Sequence, residues 1–183
     1  MDSNRILLLH NTPVHVQNGG LFISSGQDAI HPERIIDSYE LIFVRKGILG
    51  LREESKEFEV KQGQALILFP GRLHAGTIAY PSNLQFYWIH FYLDEAAGSC
   101  DCSPLSIPQY TAIKRPNRMV SLFRAFLDDQ ESSYRPNIAL HSYMTLMLSE
   151  VAWDNPSTEK TVSDGDTRLA NTVNTTIRSK LDQ

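Results

Sequence analysis

Short apolar runs at close, even spacing, each closed by a turn signal, fill the first 112 residues of this 183-residue chain. Tyr39-Glu40-Leu41-Ile42-Phe43-Val44 is rich in β-branched and aromatic side chains and stops at Lys46-Gly47. Ile48 to Arg52, Glu57 to Val60 and Ala65 to Phe69 follow, with turns at Glu54-Ser55 and Gln62-Gly63. Leu84 to Leu93 is the longest run, and Ile6 to Leu9 reads as a further strand. Strands this close together leave no room for helical crossovers, so a parallel α/β sheet is excluded and an antiparallel sandwich or barrel is expected.

After Pro116 the period changes. Met119, Val120, Phe123, Phe126 and Leu127 recur at three- and four-residue spacing, as an amphipathic helix requires, and a proline suits its first turn. A second helix is expected from Pro136-Asn137 to about Trp153. Leu140, Met144, Met147 and Val151 form one stripe on it, widened by Tyr143 and Leu146. A helix apolar over so much of its circumference needs cover on two sides. One side is expected on the barrel and the stripe against a second copy of the chain, since closed two-fold symmetry lets a helix meet itself. Asp154 to Asp166, with Asn155-Pro156 and Gly165, reads as a linker. Leu169, Val173, Ile177 and Leu181 then begin another amphipathic segment. The expected organisation is therefore 1–112 barrel, 113–153 helical hairpin, 154–166 linker and 167–183 the start of a further unit.

Apolar residues make up 42% and charged residues 21%, the balance of a globular domain rather than a disordered chain. No apolar run approaches the ~20 residues of a membrane span, and the N-terminus lacks the pattern of a secretory leader. Cys100 and Cys102, one residue apart in a polar stretch, read as reduced thiols of a cytoplasmic protein rather than a disulfide framework. The net charge is −4, with 17 basic and 21 acidic side chains and no basic cluster. Residues 1–183 therefore lack the footprint of a nucleic-acid-binding module.

The most informative stretch is Gly63-Gln64-Ala65-Leu66-Ile67-Leu68-Phe69-Pro70-Gly71-Arg72-Leu73-His74: a tight turn, a buried strand, a Pro-Gly turn, then a histidine entering the next strand. It resembles the second motif of the cupin barrel. Taken with Tyr39 to Gly47 upstream and Phe86-Tyr87-Trp88-Ile89-His90-Phe91 downstream, the chain resembles the N-terminal regulatory domain of AraC-family transcription factors. The resemblance covers residues 31 to 93 in detail and the two helices in outline. Leu169 to Ile177 is similar to the first helix of that family's helix-turn-helix domain. The resemblance thus implies a mainly β chain with C-terminal helices: a cupin-like (double-stranded β-helix, jelly-roll) barrel plus a helical dimerisation hairpin, stopping as a DNA-binding domain begins. It implies a small-molecule effector of carbohydrate type, a homodimer, DNA contact only through the missing C-terminal domain, no membrane partner and no cofactor. It also implies an N-terminal arm, Leu7 to Val16, acting as a lid on the pocket mouth.

Candidate effector-binding residues follow from strand alternation and from that resemblance. Phe86, Trp88 and His90 share one face of their strand, while Tyr87, Ile89 and Phe91 share the other. The family places a ligand-stacking tryptophan at the position of Trp88, and an aromatic face suits the C–H face of a pyranose ring; a core tryptophan with a satisfied N–H is an equally good reading. His90 serves a ligand hydroxyl or a backbone group. Arg34 offers a planar fork, and the family often draws a basic pocket residue from this region, with His31 close by. His74 follows the Pro-Gly turn at the rim. Glu40, inside an apolar strand, calls for a partner such as Arg34 or Arg45, or for a sugar hydroxyl. The dimer stripe is Leu140, Met144, Met147 and Val151. The competing class is a metal-dependent cupin enzyme acting on a sugar or small metabolite. Such enzymes use an H-x-H pair on an early strand, and Tyr39 to Arg52 contains no histidine. No catalytic residue and no metal ligand is therefore assigned, although His31, His74 and His90 on separate strands could still converge. A regulator with an unoccupied, apolar-filled barrel is the third possibility.

Overall fold

The computed structural model describes residues 4–26, 29–94, 103–132 and 137–153. In chain order the strands are β1 (Arg5–Leu8), β2 (Val14–Ile23), β3 (Arg34–Ile35), β4 (Tyr39–Lys46), β5 (Ile48–Glu53) and β6 (Lys56–Lys61). They continue with β7 (Gln64–Leu68), β8 (Leu73–Gly76), β9 (Gln85–Leu93), β10 (Leu105–Pro108) and β11 (Tyr110–Ala112). Two helices follow, α1 (Pro116–Glu131) and α2 (Asn137–Ala152). All pairings are antiparallel. A five-stranded sheet has the order β11-β7-β4-β9-β2, a four-stranded sheet the order β3-β8-β5-β6, and β1 pairs with β10 separately. The fold is a cupin-like jelly-roll barrel followed by two helices.

The five-stranded sheet is a wall with a hydrophobic core on each side. Alternation along β4, β7 and β9 sends Ile42, Val44, Leu66, Leu68 and Phe86 inward, against Leu49, Leu51 and Val60 of the opposing sheet. The intervening residues Leu41, Phe43, Ala65, Ile67, Tyr87, Ile89 and Phe91 point outward, where the helices cover them. Both faces being buried explains why β4 reads as an unbroken apolar run rather than an alternating one. On the helix side, Phe123 of α1 stacks on Tyr87 at 4.8 Å and on Phe43 at 6.2 Å between ring centroids.

The stripe expected to meet a partner lies inside the chain. Leu140, Met144, Met147 and Val151 are 8%, 0%, 0% and 2% exposed, in one cluster with Met119, Phe123 and Phe126 of α1. This corrects the sequence expectation: α2 packs against α1, β10 and β2, so the stripe is covered on all sides by its own chain. The outward apolar residues are instead Ile138, Leu146 and Trp153. Between them Ser142, Thr145 and Ser149 each donate a hydroxyl hydrogen bond to the carbonyl four residues back.

The expected lid is likewise corrected. Residues 5–8 are strapped to β10, Val14 begins strand β2, which pairs with β9, and Ile6, Leu8 and Val14 are buried in the helix-side core. Cys100, Cys102, the linker from Asp154 and the segment from Leu169 lie outside the described residues.

Candidate functional site

The motif Pro70-Gly71-Arg72-Leu73-His74 aims one histidine. Gly71 has φ +75°, a conformation that suits glycine, and its N–H donates to the Ile36 carbonyl. The turn is pinned by buried Glu53, which accepts from the Phe69 N–H at 2.6 Å, from Arg72 at 3.1 Å and from the Gln109 amide. β8 then carries His74, fully buried, directly opposite Arg34 on β3. On the other sheet Glu40 of β4 lies directly opposite His90 of β9.

Arg34 and the Glu40–His90 pair meet in one barrel cavity of about 260 Å³, lined by Phe22, His31, Pro32, Arg34, Glu40, Tyr80, Phe86, Trp88 and His90. Six of the seven effector candidates, His31, Arg34, Glu40, Phe86, Trp88 and His90, thus face the same space. The seventh, His74, stands behind them, its ring 5.4 Å from that of His31. No residue from 4 to 16 lines the cavity.

The cavity has an aromatic wall and a polar wall. Phe22 stacks on Phe86 at 4.8 Å, and Tyr80 tilts against Phe22 at the same distance. The Trp88 indole meets His90 edge to face at 5.4 Å. It also lies across Gly20, its register partner on β2. A Cβ on Gly20 would sit 2.8 Å from the indole ring, so only glycine leaves the ring its place. Phe22, Pro32, Tyr80 and Gly20 escape the sequence reading, although Gly20 and Phe22 share the two-residue alternation that marks Trp88 and Phe86.

On the polar wall, Arg34 Nε donates to His74 Nε2 at 3.3 Å and Nη2 donates to Glu40 Oε2 at 3.4 Å. His90 Nε2 lies 3.9 Å from the same carboxyl oxygen, and its Nδ1 is 2.8 Å from Ser38 Oγ. His31 Nδ1 donates to the Pro32 carbonyl at 3.1 Å. Burial pushes Glu40 up to about 7, against the pull of Arg34. Burial, then the charges of His31 and Arg34, push His74 down to about 4. Burial also lowers His31 and His90, with Arg34 adding to both, and raises Tyr80 to about 12. At neutral pH the polar wall therefore presents one fixed cation, neutral imidazoles and a carboxyl near half-protonation.

A larger cleft, about 590 Å³, lies outside the barrel between β4 and α1, lined by Arg45, Gln62, Asn117 and Arg124 among others. Its lining contains no histidine or carboxylate, whereas the barrel cavity sets converging polar groups opposite aromatic rings, the usual anatomy of a small-molecule site. Among the described residues no group of three or more histidine, cysteine or carboxylate side chains is arranged to hold a metal ion, and the Arg34 guanidinium contacts both Glu40 and His74.

The chain is 26% identical over 170 residues to an uncharacterized HTH-type transcriptional regulator, YisR, of Bacillus subtilis strain 168. The match takes in 78% of this chain and 59% of YisR, so the chain spans about three-fifths of that relative's length. Among solved structures it is similar to ToxT of Vibrio cholerae, at 12% identity and a TM-score of 0.41, covering 78% of this chain and 55% of ToxT. It is also similar to the plu4264 protein of Photorhabdus luminescens, at 25% identity and a TM-score of 0.36, covering 48% and 71%. Residues 20–144, which run from the glycine under Trp88 through both walls of the cavity and into α2, match the model of the AraC-like ligand binding domain. It is to that family that the chain belongs.

Proposed function

We propose that this domain senses a small carbohydrate in the barrel cavity and passes its occupancy to a C-terminal helix-turn-helix domain, in the cytoplasm and without catalysing a reaction. The observation that carries the reading is the two-walled cavity. Trp88 and Phe86 offer rings for a pyranose C–H face, while Arg34, Glu40, His31 and His90 offer donors and acceptors for hydroxyls. The mechanism is a population shift: the effector favours one arrangement of the domain, and DNA affinity changes by that difference. Isothermal titration with a panel of pentoses, hexoses and their oxidised derivatives tests it; the expected result is saturable 1:1 binding that depends on Trp88. A panel without a binder would refute it.

Homodimerisation belongs to the same reading, with its face moved to Ile138, Leu146 and Trp153 on the outside of α2. The competing reading, a metal-dependent enzyme, draws on the histidines and Glu40 that surround Arg34. Stoichiometric metal in the purified chain, removed by chelator together with a turnover activity, would favour it.

A further inference from the structure

We propose that the effector is a sugar acid, a monosaccharide-sized polyol bearing a carboxylate, whose carboxylate seats on Arg34. This rests on the carbohydrate reading above and narrows it. Among the described residues Arg34 is the sole lysine or arginine lining the cavity, and its side chain is 41% exposed. A guanidinium has five N–H donors in a planar fork. Arg34 spends two of them, on Glu40 and His74, at 3.4 Å and 3.3 Å. Both contacts are long for hydrogen bonds from a cation, which normally close to about 2.7–2.9 Å. Three donors and a loosely held charge are therefore left on a group that lines the cavity together with the rings of Phe22, Phe86 and Trp88. A neutral sugar would accept a few hydrogen bonds from this group and leave its charge unanswered. A carboxylate would take the fork in bidentate fashion and satisfy both.

The second observation is the position of Glu40. Its side chain is 3% exposed, beside Arg34 and across from His90. A ligand carboxylate on Arg34 would place two anions on one guanidinium, which disfavours ionised Glu40. Burial already holds Glu40 near 7, so it takes a proton from solvent as the ligand arrives, and its new O–H can donate to the ligand. The other groups facing this centre do not compete for that proton. His31, His74 and His90 are all held below their ordinary range, Tyr80 is held above its own, and Asp37 accepts from Tyr92.

The test is isothermal titration of the full chain with galacturonate, glucuronate and gluconate against galactose, glucose and sorbitol. At pH 6.5 at least one acid should bind tenfold or more tightly than its neutral counterpart. Raising the pH from 6.5 to 8.5 should weaken acid binding, approaching tenfold per pH unit above 7. Phosphate and Tris buffers should give different apparent heats, reporting about half a proton taken up at pH 7. Glu40→Gln should remove the pH dependence, and Arg34→Gln should level acids with neutral sugars. Neutral sugars binding as well as or better than the acids would overturn the inference and leave carbohydrate sensing standing. Failure of both sets to bind would overturn both. Acid binding that ignores pH in the wild type would overturn the role of Glu40.

Discussion

Replacing Glu40 by Gln should stabilise the protein, strongly above neutral pH and far less in mild acid. Gln keeps the shape and an acceptor oxygen but cannot ionise. In the wild type, burial raises the Glu40 carboxyl from 4.5 to about 7, so between those values the native state binds more protons than the unfolded chain. Stability from this group is then complete below about pH 4.5 and is lost as pH rises through 7. Integrating that difference, ionised Glu40 costs the native state about 3 kcal/mol at pH 8 and about 1 kcal/mol at pH 5. The Gln variant escapes both costs, so its advantage should grow by about 2.5 kcal/mol between the two pH values. The lowered histidines His31, His74 and His90 slope the other way, but they are present in both proteins and largely cancel in the difference. Urea unfolding at pH 5 and pH 8 measures it; with a slope of about 1–3 kcal/mol/M, the midpoint gap should widen by about 1 M. A gap that stays constant, or a wild type that is the more stable at pH 8, would refute the claim that Glu40 is buried at the cost of its charge.

Trp88→Ala should weaken effector binding by about 1–3 kcal/mol by titration, with an unchanged circular dichroism spectrum. Gly20→Ala removes no contact atom yet should cost about 1–3 kcal/mol of stability and shift the tryptophan emission, because the new Cβ displaces the indole; an unshifted spectrum would mean the ring does not lie where the structure has it. Met144→Glu should unfold the chain rather than release a monomer, since it buries a charge in the core. Leu146→Glu should instead leave a folded protein that sediments as a monomer, and a dimer surviving it would clear the outer face of α2. His74, held near 4 chiefly by burial, binds fewer protons folded than unfolded between about pH 4 and 6.5; stability should drop as the pH is lowered from 6.5 to 4, and His74→Gln should flatten that drop in urea midpoints.

What the sequence displays is local geometry, and it displays that well. The two-residue period of Phe86 to Phe91 separates the cavity face of β9 from its helix face without any knowledge of either. Pro70-Gly71 marks the turn that delivers His74, and Pro116 marks the first turn of α1. Long-range register is another matter. Nothing near Phe22 in sequence says that it will meet Phe86, because more than sixty residues separate β2 from β9. Arg34 and Glu40 are six apart, yet their contact depends on a two-residue strand pairing with β8. The α2 stripe shows a different limit. Periodicity identifies the apolar face of a helix, but what covers that face is decided by the neighbours, and Met144 and Met147 found theirs in α1 and the barrel.

The pair Gly19-Gly20 leaves the wall between the barrel cavity and the helices one residue thick. Gly20 carries the indole on one side. Gly19, next along the chain, is gripped on the other side by Gln130 in the last turn of α1, which accepts from its N–H at 2.8 Å and donates to its carbonyl at 3.0 Å. Neither glycine has a side chain to yield: a Cβ on Gly19 would already lie 2.7 Å from Ile89 and 2.8 Å from Phe126. A tilt of the indole would therefore pass through the adjoining Gly20 and Gly19 peptides to the amide of Gln130. Hydrogen exchange at the Gly19 amide should accordingly read the occupancy of a cavity that this amide never touches.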